Sequence, residues 1–92
     1  MELDEFLEVS ILLGYYQNLL SDRQREYMVK HFELDYSLSE IAKEYSISRQ
    51  AVYDIIRRGI KVLKEYEEKL SLWRTYKAIV AELKYLKVNF SI

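Results

Sequence analysis

Seven side chains between residues 49 and 64 have the types and the spacing of a surface that reads nucleic acid. On a helix they share one face, and they are Arg49, Gln50, Tyr53, Asp54, Arg57, Arg58 and Lys61. Arginine pairs with guanine, and glutamine with adenine, through two parallel hydrogen bonds that discriminate against a wrong base by about 1–3 kcal/mol. We therefore predict that Arg49 and Gln50 contact base edges. The basic side chains further along would follow the phosphate backbone.

The residues around this set predict the two helices that would position it. Ser37 and Glu40 have the spacing of a capping box, and Ser48 is placed to cap a second helix that starts at Arg49. Between them, apolar residues recur at helical spacing and Ile47 is the turn residue expected to enter the core. A short helix, a tight turn and a polar-tipped second helix form a helix-turn-helix, here at 38–64, whose second helix enters the DNA major groove.

The charge distribution favours the same face, although a solvated helix surface is the plain alternative. Residues 1–48 carry a net charge of −6, residues 49–64 carry +4 and residues 65–92 carry +1. An acidic remainder would turn a polyanion toward the basic helix. In the alternative, Arg58 simply pairs with Asp54 one turn away. Asp54 would repel phosphate, but its carboxylate can accept from cytosine N4.

The whole chain predicts an all-α, five-helix domain spanning residues 1–92. It has 92 residues, no proline and two glycines, so few helix breakers are present. The first helix, 4–20, is apolar nearly all round. The second starts at Ser21, with Gln24 in capping-box position, and runs to about Leu34. The long recognition helix would reach Leu70 and bury a stripe of six residues: Val52, Ile55, Gly59, Leu63, Tyr66 and Leu70.

The last helix, 72–88, follows a break and N-cap at Ser71, unless the last two helices form one kinked rod. A small domain cannot cover a helix that is apolar on every face. We therefore predict that helices 4–20 and 72–88 form a homodimer interface, the alternative being that these residues stay exposed.

The sequence lacks the residues that several classes of protein function require. Without cysteine there is no thiol chemistry and no disulfide, and the single histidine, His31, is expected to be a partly buried side chain rather than a metal ligand. No glycine-rich loop or nucleophile constellation is present, and no apolar run reaches the length of a membrane span. The acidic N-terminus differs from a signal peptide. We predict a cytoplasmic protein that is not an enzyme and uses no cofactor.

The motifs resemble two families of bacterial proteins. Residues 20–64 resemble the promoter-reading helix-turn-helix of sigma factors, called region four. Three runs, LSDRQREY, DYSLSEIAKEYSISRQAVYD and LKEYEEKL, resemble the YlxM family more closely, with SRQAVYD as the strongest match. Members of that family are associated with the signal recognition particle pathway. The sigma-like motif implies DNA contacts by Arg49, Gln50, Tyr53 and Asp54. Tyr53 and Asp54 depart from the sigma pattern, which carries Arg and Gln there, and agree with the YlxM-like one.

The resemblance and the residues together leave three hypotheses. The first is a dimeric DNA-binding regulator of YlxM type that regulates or assists the signal recognition particle pathway. The second is an adaptor on the same fold that binds the particle's RNA or its GTPase instead of duplex DNA. The third is a free sigma-like factor that binds RNA polymerase, which is weaker because nothing resembles a polymerase-binding region.

Overall fold

A central helix organises the fold by burying one face against the three helices that precede it. The computed structural model describes residues 1–90, with side chains described for residues 1–87. Within this range the fold is all-α, as predicted. It contains α1 (Leu3–Tyr16), a 3₁₀ turn (Gln17–Leu19), α2 (Asp22–Phe32), α3 (Leu38–Tyr45), α4 (Arg49–Leu70) and α5 (Leu72–Phe90).

The core forms where α1, α2 and α3 pack around α4. From α4 it takes Val52, Ile56, Ile60 and Leu63, and around them lie Val9, Leu12, Leu13, Tyr16, Leu20, Tyr27, Met28, Phe32, Ile41 and Ala42. Gly59 lies where α4 crosses α2, and a Cβ at this position would overlap the Sδ atom of Met28. This glycine therefore permits a close crossing of two helices.

The predicted core stripe of α4 is partly wrong. Val52, Gly59 and Leu63 are buried, but Ile55 is only half-buried and Leu70 is 49% exposed. Ile56 and Ile60, absent from the predicted stripe, are buried in their place. Ile56 and Ile60 join the core cluster that α4 shares with α1, α2 and α3, whereas Leu70 is in the last turn of α4 and is not part of that cluster.

Two N-caps predicted from residue spacing are present in full. Ser21 Oγ accepts from the Gln24 N–H while Gln24 Oε1 accepts from the Ser21 N–H, at 3.2 Å each. Ser37 and Glu40 exchange the same pair of bonds at 3.0 and 3.1 Å. Each capping box satisfies two backbone amides that lack partners within the helix, and so fixes where α2 and α3 begin.

The first helix differs from the prediction in its length and in its surroundings. The expected span was 4–20, but α1 ends at Tyr16 and the chain then tightens into the 3₁₀ turn. One face of α1 is buried, through Val9, Leu12, Leu13 and Tyr16. The opposite face is largely exposed within the described part of the chain, because the helices that pack most extensively on α1, namely α4 and α2, contact its buried side.

The last two helices are separate, so the alternative of one kinked rod is wrong. Ser71 ends α4 in the left-handed region, with φ 53°, and α5 starts at the next residue. The first amides of α5 are satisfied by side chains from elsewhere: Leu72 N–H by Tyr16, and Trp73 and Arg74 N–H by Glu67. The cap predicted at Ser71 is thus replaced by a longer-range one. Beyond it α5 projects from the core, and the molecule measures 60 × 24 × 20 Å.

Candidate nucleic-acid interface

The turn between α3 and α4 sets the angle at which the second helix leaves the first. Ser46 adopts the left-handed conformation with φ 55°, and the Ile47 N–H then donates to the Ala42 carbonyl at 3.0 Å. Ile47 packs half-buried against the core, as predicted. Ala42 is 7% exposed at the crossing, where a small side chain lets the two helices approach. The geometry is that of a helix-turn-helix.

The N-terminal tip of α4 is capped and open to solvent. Ser48 Oγ accepts from the Ala51 N–H at 3.0 Å, which confirms the predicted cap. Arg49 and Gln50 follow at once, both exposed. Together with Leu38 of α3 and Tyr53 they line a shallow cleft at the tip. The remaining amides and the positive end of the helix dipole point the same way and favour an anion there.

The structure brings all seven predicted site residues to one face of α4. All seven are exposed. Gln50, Asp54, Arg57, Arg58 and Lys61 lie opposite the buried line of Val52, Ile56, Ile60 and Leu63, and Arg49 and Tyr53 lie at the edge of that line. From Arg49 to Lys61 the face extends about 18 Å at 1.5 Å per residue. Because the back of the helix is fixed in the core, the side chains of this face have a fixed register with respect to one another.

At the tip, two of the predicted residues are bonded to each other. Gln50 Nε2 donates to Asp54 Oδ1 at 2.9 Å. The plain alternative expected Asp54 to pair with Arg58, one turn after it. Asp54 is instead bonded to Gln50, one turn before it. This bond orients the amide of Gln50 but also occupies one of its donors. Tyr53, 46% exposed, lies beside the pair and presents an uncovered aromatic ring.

The C-terminal half of the face has an acidic neighbour that the sequence did not reveal. Arg57 Nη1 and Lys64 Nζ both lie 3.6 Å from Glu5 Oε1. Glu5 belongs to α1, and only the packing of α1 on α4 brings it here. Part of the positive charge of α4 is therefore balanced within the chain. Arg58 and Lys61 lie further round the helix on the exposed side.

A set of contacts between α2 and α3 holds the helix-turn-helix against the core. Lys30 Nζ is 3.1 Å from Glu44 Oε1 and lies 5.0 Å from the ring centre of Tyr36. The Tyr45 hydroxyl donates to Glu26, and burial, helped by that carboxylate, strongly raises the pKa of Tyr45. His31 is half-buried, as expected, with Nδ1 2.8 Å from the Tyr36 carbonyl oxygen.

Two features of other protein classes are absent from the described part of the chain. No group of three or more His, Cys, Asp or Glu side chains lies close enough together to hold a metal ion there. None of its helices combines the length and the apolar character needed to cross a membrane.

Fold and site together define a helix-turn-helix protein, built on an α-helical core with a long second helix. Comparison with known proteins then places it more closely. The family model described as "Putative helix-turn-helix protein, YlxM / p13 like" matches residues 3–90. The chain belongs to this family, UPF0122, which confirms the resemblance to YlxM and extends it beyond the motifs that suggested it.

Individual relatives match over most of their own length. A UPF0122 protein of Fusobacterium nucleatum is 52% identical over 91 residues, which covers 99% of this chain and 88% of the relative. One from Halalkalibacterium halodurans is 47% identical over 85 residues, covering 92% and 78%. One from Geobacillus kaustophilus is 50% identical over 74 residues, covering 80% and 67%. Their names give the family and no activity.

Proposed function

We propose that this protein binds duplex DNA through the exposed face of α4 and acts as a YlxM-type regulator, with a role in regulating or assisting the signal recognition particle pathway. It would act in the cytoplasm as a homodimer, without cofactor or enzymatic activity. The observation that carries the DNA proposal is the single exposed face of seven polar and basic residues on a helix whose other side is buried. Because the buried side of the recognition helix is held in the core, this helix can enter a groove without first having to become ordered.

The face divides into a part suited to bases and a part suited to phosphates. Arg49 and Gln50 at the tip would reach base edges, while Arg57, Arg58 and Lys61 would follow the backbone. Glu5 competes for Arg57, so Arg58 and Lys61 would supply most of the phosphate attraction. If about three phosphates are neutralised, affinity falls roughly fortyfold between about 50 mM and 200 mM salt.

The bond between Gln50 and Asp54 bears on which bases are read. To pair with adenine through both its amide groups, Gln50 must release or share the donor that it gives to Asp54. Asp54 could instead keep Gln50 in place and accept from cytosine N4 with its second oxygen. In either arrangement Gln50 and Asp54 distinguish between bases as a coupled pair, so the effects of single changes at these two residues would not be additive.

The test is a competitive anisotropy titration against labelled duplex taken from upstream of the protein's own operon. Arg49→Ala/Gln50→Ala should remove the preference over random duplex, whereas Arg58→Ala/Lys61→Ala should weaken binding to every duplex alike. Arg23→Ala/Lys69→Ala removes two exposed positive charges outside the seven site residues, Arg23 on α2 and Lys69 two turns beyond Lys61, and serves as the control. Wild-type protein that binds own and random duplex equally, or neither, would contradict the DNA proposal.

A second candidate, an adaptor that binds signal recognition particle RNA or its GTPase, has its own supporting observation. Tyr53 is 46% exposed at the reading tip, and an aromatic ring stacks on unpaired bases more readily than it reads a duplex edge. The balance of Arg57 and Lys64 by Glu5 also lowers attraction for a duplex. In the same titration, RNA that displaces the duplex, with binding lost in Tyr53→Ala, would favour this candidate.

A further inference from the structure

The exposed face of α1 is an apolar stripe that nothing in the described chain covers. Leu3, Leu7, Ile11 and Tyr15 recur every fourth residue, and Leu19 continues the line into the 3₁₀ turn. Their side chains are between 38% and 72% exposed. The stripe lies opposite the buried Val9, Leu12, Leu13 and Tyr16, so α1 has one apolar face in the core and a second one in solvent.

Gly14 lies on this same uncovered face, and its position is not explained by packing within the chain. A Cβ placed on Gly14 would meet nothing within 4 Å, in contrast to Gly59, whose Cβ would overlap Met28. Glycine is a poor residue for a helix interior unless something approaches its backbone closely. A gap flanked by Leu7, Ile11 and Tyr15 has the shape that lets another helix approach.

The helix α5 carries a second uncovered apolar stripe of matching length. Its members are separated by steps of four and three residues, the spacing of a coiled-coil seam: Leu72, Tyr76, Ile79, Leu83 and Leu86. They are between 41% and 59% exposed. At 1.5 Å per residue α5 is about 28 Å long and α1 about 21 Å, so one could lie along most of the other.

The two stripes together are as large as the interface of a stable complex. Each of these ten side chains is roughly half exposed, and a large side chain carries on the order of 150–200 Å². The chain thus leaves about 750–1,000 Å² of apolar surface in two stripes. Specific interfaces bury about 800 Å² per partner, so the two stripes together, and neither alone, would supply an interface of standard size.

The two helices that carry the stripes are opposite in net charge. The α1 helix holds Asp4, Glu5 and Glu8 and no basic residue, with Glu5 already facing Arg57 and Lys64 of α4. The α5 helix holds Arg74, Lys77, Lys84 and Lys87 against Glu82 alone. Two copies of α1, or two copies of α5, would bring like charges together, while α1 against α5 pairs a negative helix with a positive one. Within the described part of one chain, the Leu72 N–H at the start of α5 donates to Tyr16 of α1.

We infer that the partner of these stripes is a second copy of the chain, joined by a reciprocal exchange. The α5 helix of each copy lies on the exposed α1 face of the other, at closest approach over Gly14, and a two-fold axis generates two such contacts. This inference specifies the proposed homodimer and does not depend on whether α4 binds DNA. If the dimer inference is wrong, the molecular mass in solution will show it, and if the DNA proposal is wrong, the anisotropy titration will show it.

The test is sedimentation equilibrium of the full chain over about 1–100 µM, where mass action reveals a dimer. We expect a dimer for the wild type. Leu7→Asp on α1 and Ile79→Asp on α5 should each raise the dimer dissociation constant at least about a hundredfold. Each variant would bury an unpaired carboxylate, and the two-fold symmetry places one in both contacts. Leu34→Asp, at an exposed leucine between α2 and α3 (56% exposed), is the matched control and should leave the dimer intact.

Mixing the two weakened variants separates the exchange from other arrangements. A heterodimer of Leu7→Asp with Ile79→Asp retains one unmodified α1–α5 contact, so the mixture should associate more tightly than either variant alone. Pairing of α5 with α5 would leave Leu7→Asp dimeric, and pairing of α1 with α1 would leave Ile79→Asp dimeric. Either of these results, or a wild type that stays monomeric, would overturn the inference.

Gly14→Gln keeps the test independent of folding defects. Glutamine is a better helix former than glycine and meets open space within the chain, so the helical circular dichroism of the monomer should be retained. Its side chain would nonetheless separate the two helices, and the dimer dissociation constant should rise at least about tenfold. An unchanged dimer in this variant would show that nothing packs over Gly14.

Discussion

The Tyr16 hydroxyl donates a hydrogen bond of 2.7 Å to Glu67 Oε1, which joins positions 51 residues apart. The same hydroxyl accepts from the Leu72 N–H at 3.2 Å, and the two oxygens of Glu67 accept from the Trp73 and Arg74 N–H groups at 3.1 Å each. These bonds satisfy three of the amides that a helix leaves unpaired at its start. Two side chains from α1 and α4 thereby fix the direction in which α5 leaves the core.

The ionisation of both groups reflects this arrangement. Burial, together with the hydrogen bond to Glu67, raises the pKa of Tyr16 and keeps the phenol neutral. Burial also opposes ionisation of Glu67, but hydrogen bonds from Tyr16 and from the backbone of Trp73 and Arg74 outweigh it and hold the pKa of that carboxyl below its ordinary value. The bonded pair is a neutral donor and a charged acceptor.

Removing the Tyr16 hydroxyl tests the cap directly. Tyr16→Phe keeps the buried ring, leaves the Leu72 N–H without its partner and removes one of the two hydrogen bonds that Glu67 Oε1 accepts, which we expect to lower the free energy of unfolding by about 1–3 kcal/mol. Urea denaturation followed by circular dichroism measures this change. Tyr15→Phe, at the neighbouring tyrosine (38% exposed), should change stability by less than about 0.5 kcal/mol. Equal effects in both variants would contradict the assigned role.

The depressed pKa of Glu67 predicts a loss of stability in acid. Because the folded-state pKa lies below the ordinary value of 4.5, the contribution of the carboxylate is present above that pH and is lost as the pH falls through the folded pKa. Wild-type unfolding free energy should therefore decline more steeply than that of Glu67→Gln below about pH 4.5. The measurement is urea denaturation across this range, with the exposed neighbour Glu68→Gln as control. Parallel curves for wild type and Glu67→Gln would refute the prediction.

The two glycines should respond to alanine with opposite signs. Gly59→Ala forces a Cβ onto the buried Met28 side chain, so we expect a loss of about 1–2 kcal/mol, overpacking being partly offset by better helix propensity. Gly14→Ala meets open space and should gain about 0.5–1 kcal/mol. Thermal and urea unfolding at concentrations that keep the chain monomeric measure both. A stabilising Gly59→Ala would show that Met28 moves aside without strain.

Release of the basic half of α4 from its acidic neighbour should strengthen nucleic-acid binding, if the proposed function is correct. Glu5→Gln frees Arg57 and Lys64, each of which lies 3.6 Å from Glu5. Exposed ion pairs contribute up to about 1 kcal/mol, so we expect an affinity gain of up to about fivefold at low salt, shrinking as salt screens the charges. Asp4→Asn removes a neighbouring exposed charge and serves as control. A gain no larger than that of Asp4→Asn would indicate that only net charge matters.

Features that depend on residues a few positions apart were predictable from the sequence. The capping boxes at Ser21 and Ser37, the cap at Ser48 and the break at Ser71 involve short spacings and the intrinsic chemistry of serine. The helix-turn-helix follows from them, and the exposed face of α4 follows from the helical repeat, because a helix with one apolar side presents its polar side to solvent. Local hydrogen bonding determines these features, and they do not depend on how the helices pack against one another.

Features that depend on which helices meet were decided only by the tertiary structure. The core line of α4 passes through Ile56 and Ile60, Glu5 reaches Arg57, and the start of α5 is capped by Tyr16 and Glu67. The contrast between Gly59 and Gly14 is of the same kind, since an identical residue is enclosed in one place and open in the other. Helical periodicity specifies a face but not its neighbour, because the angle and register between packed helices depend on the shapes of both surfaces at once.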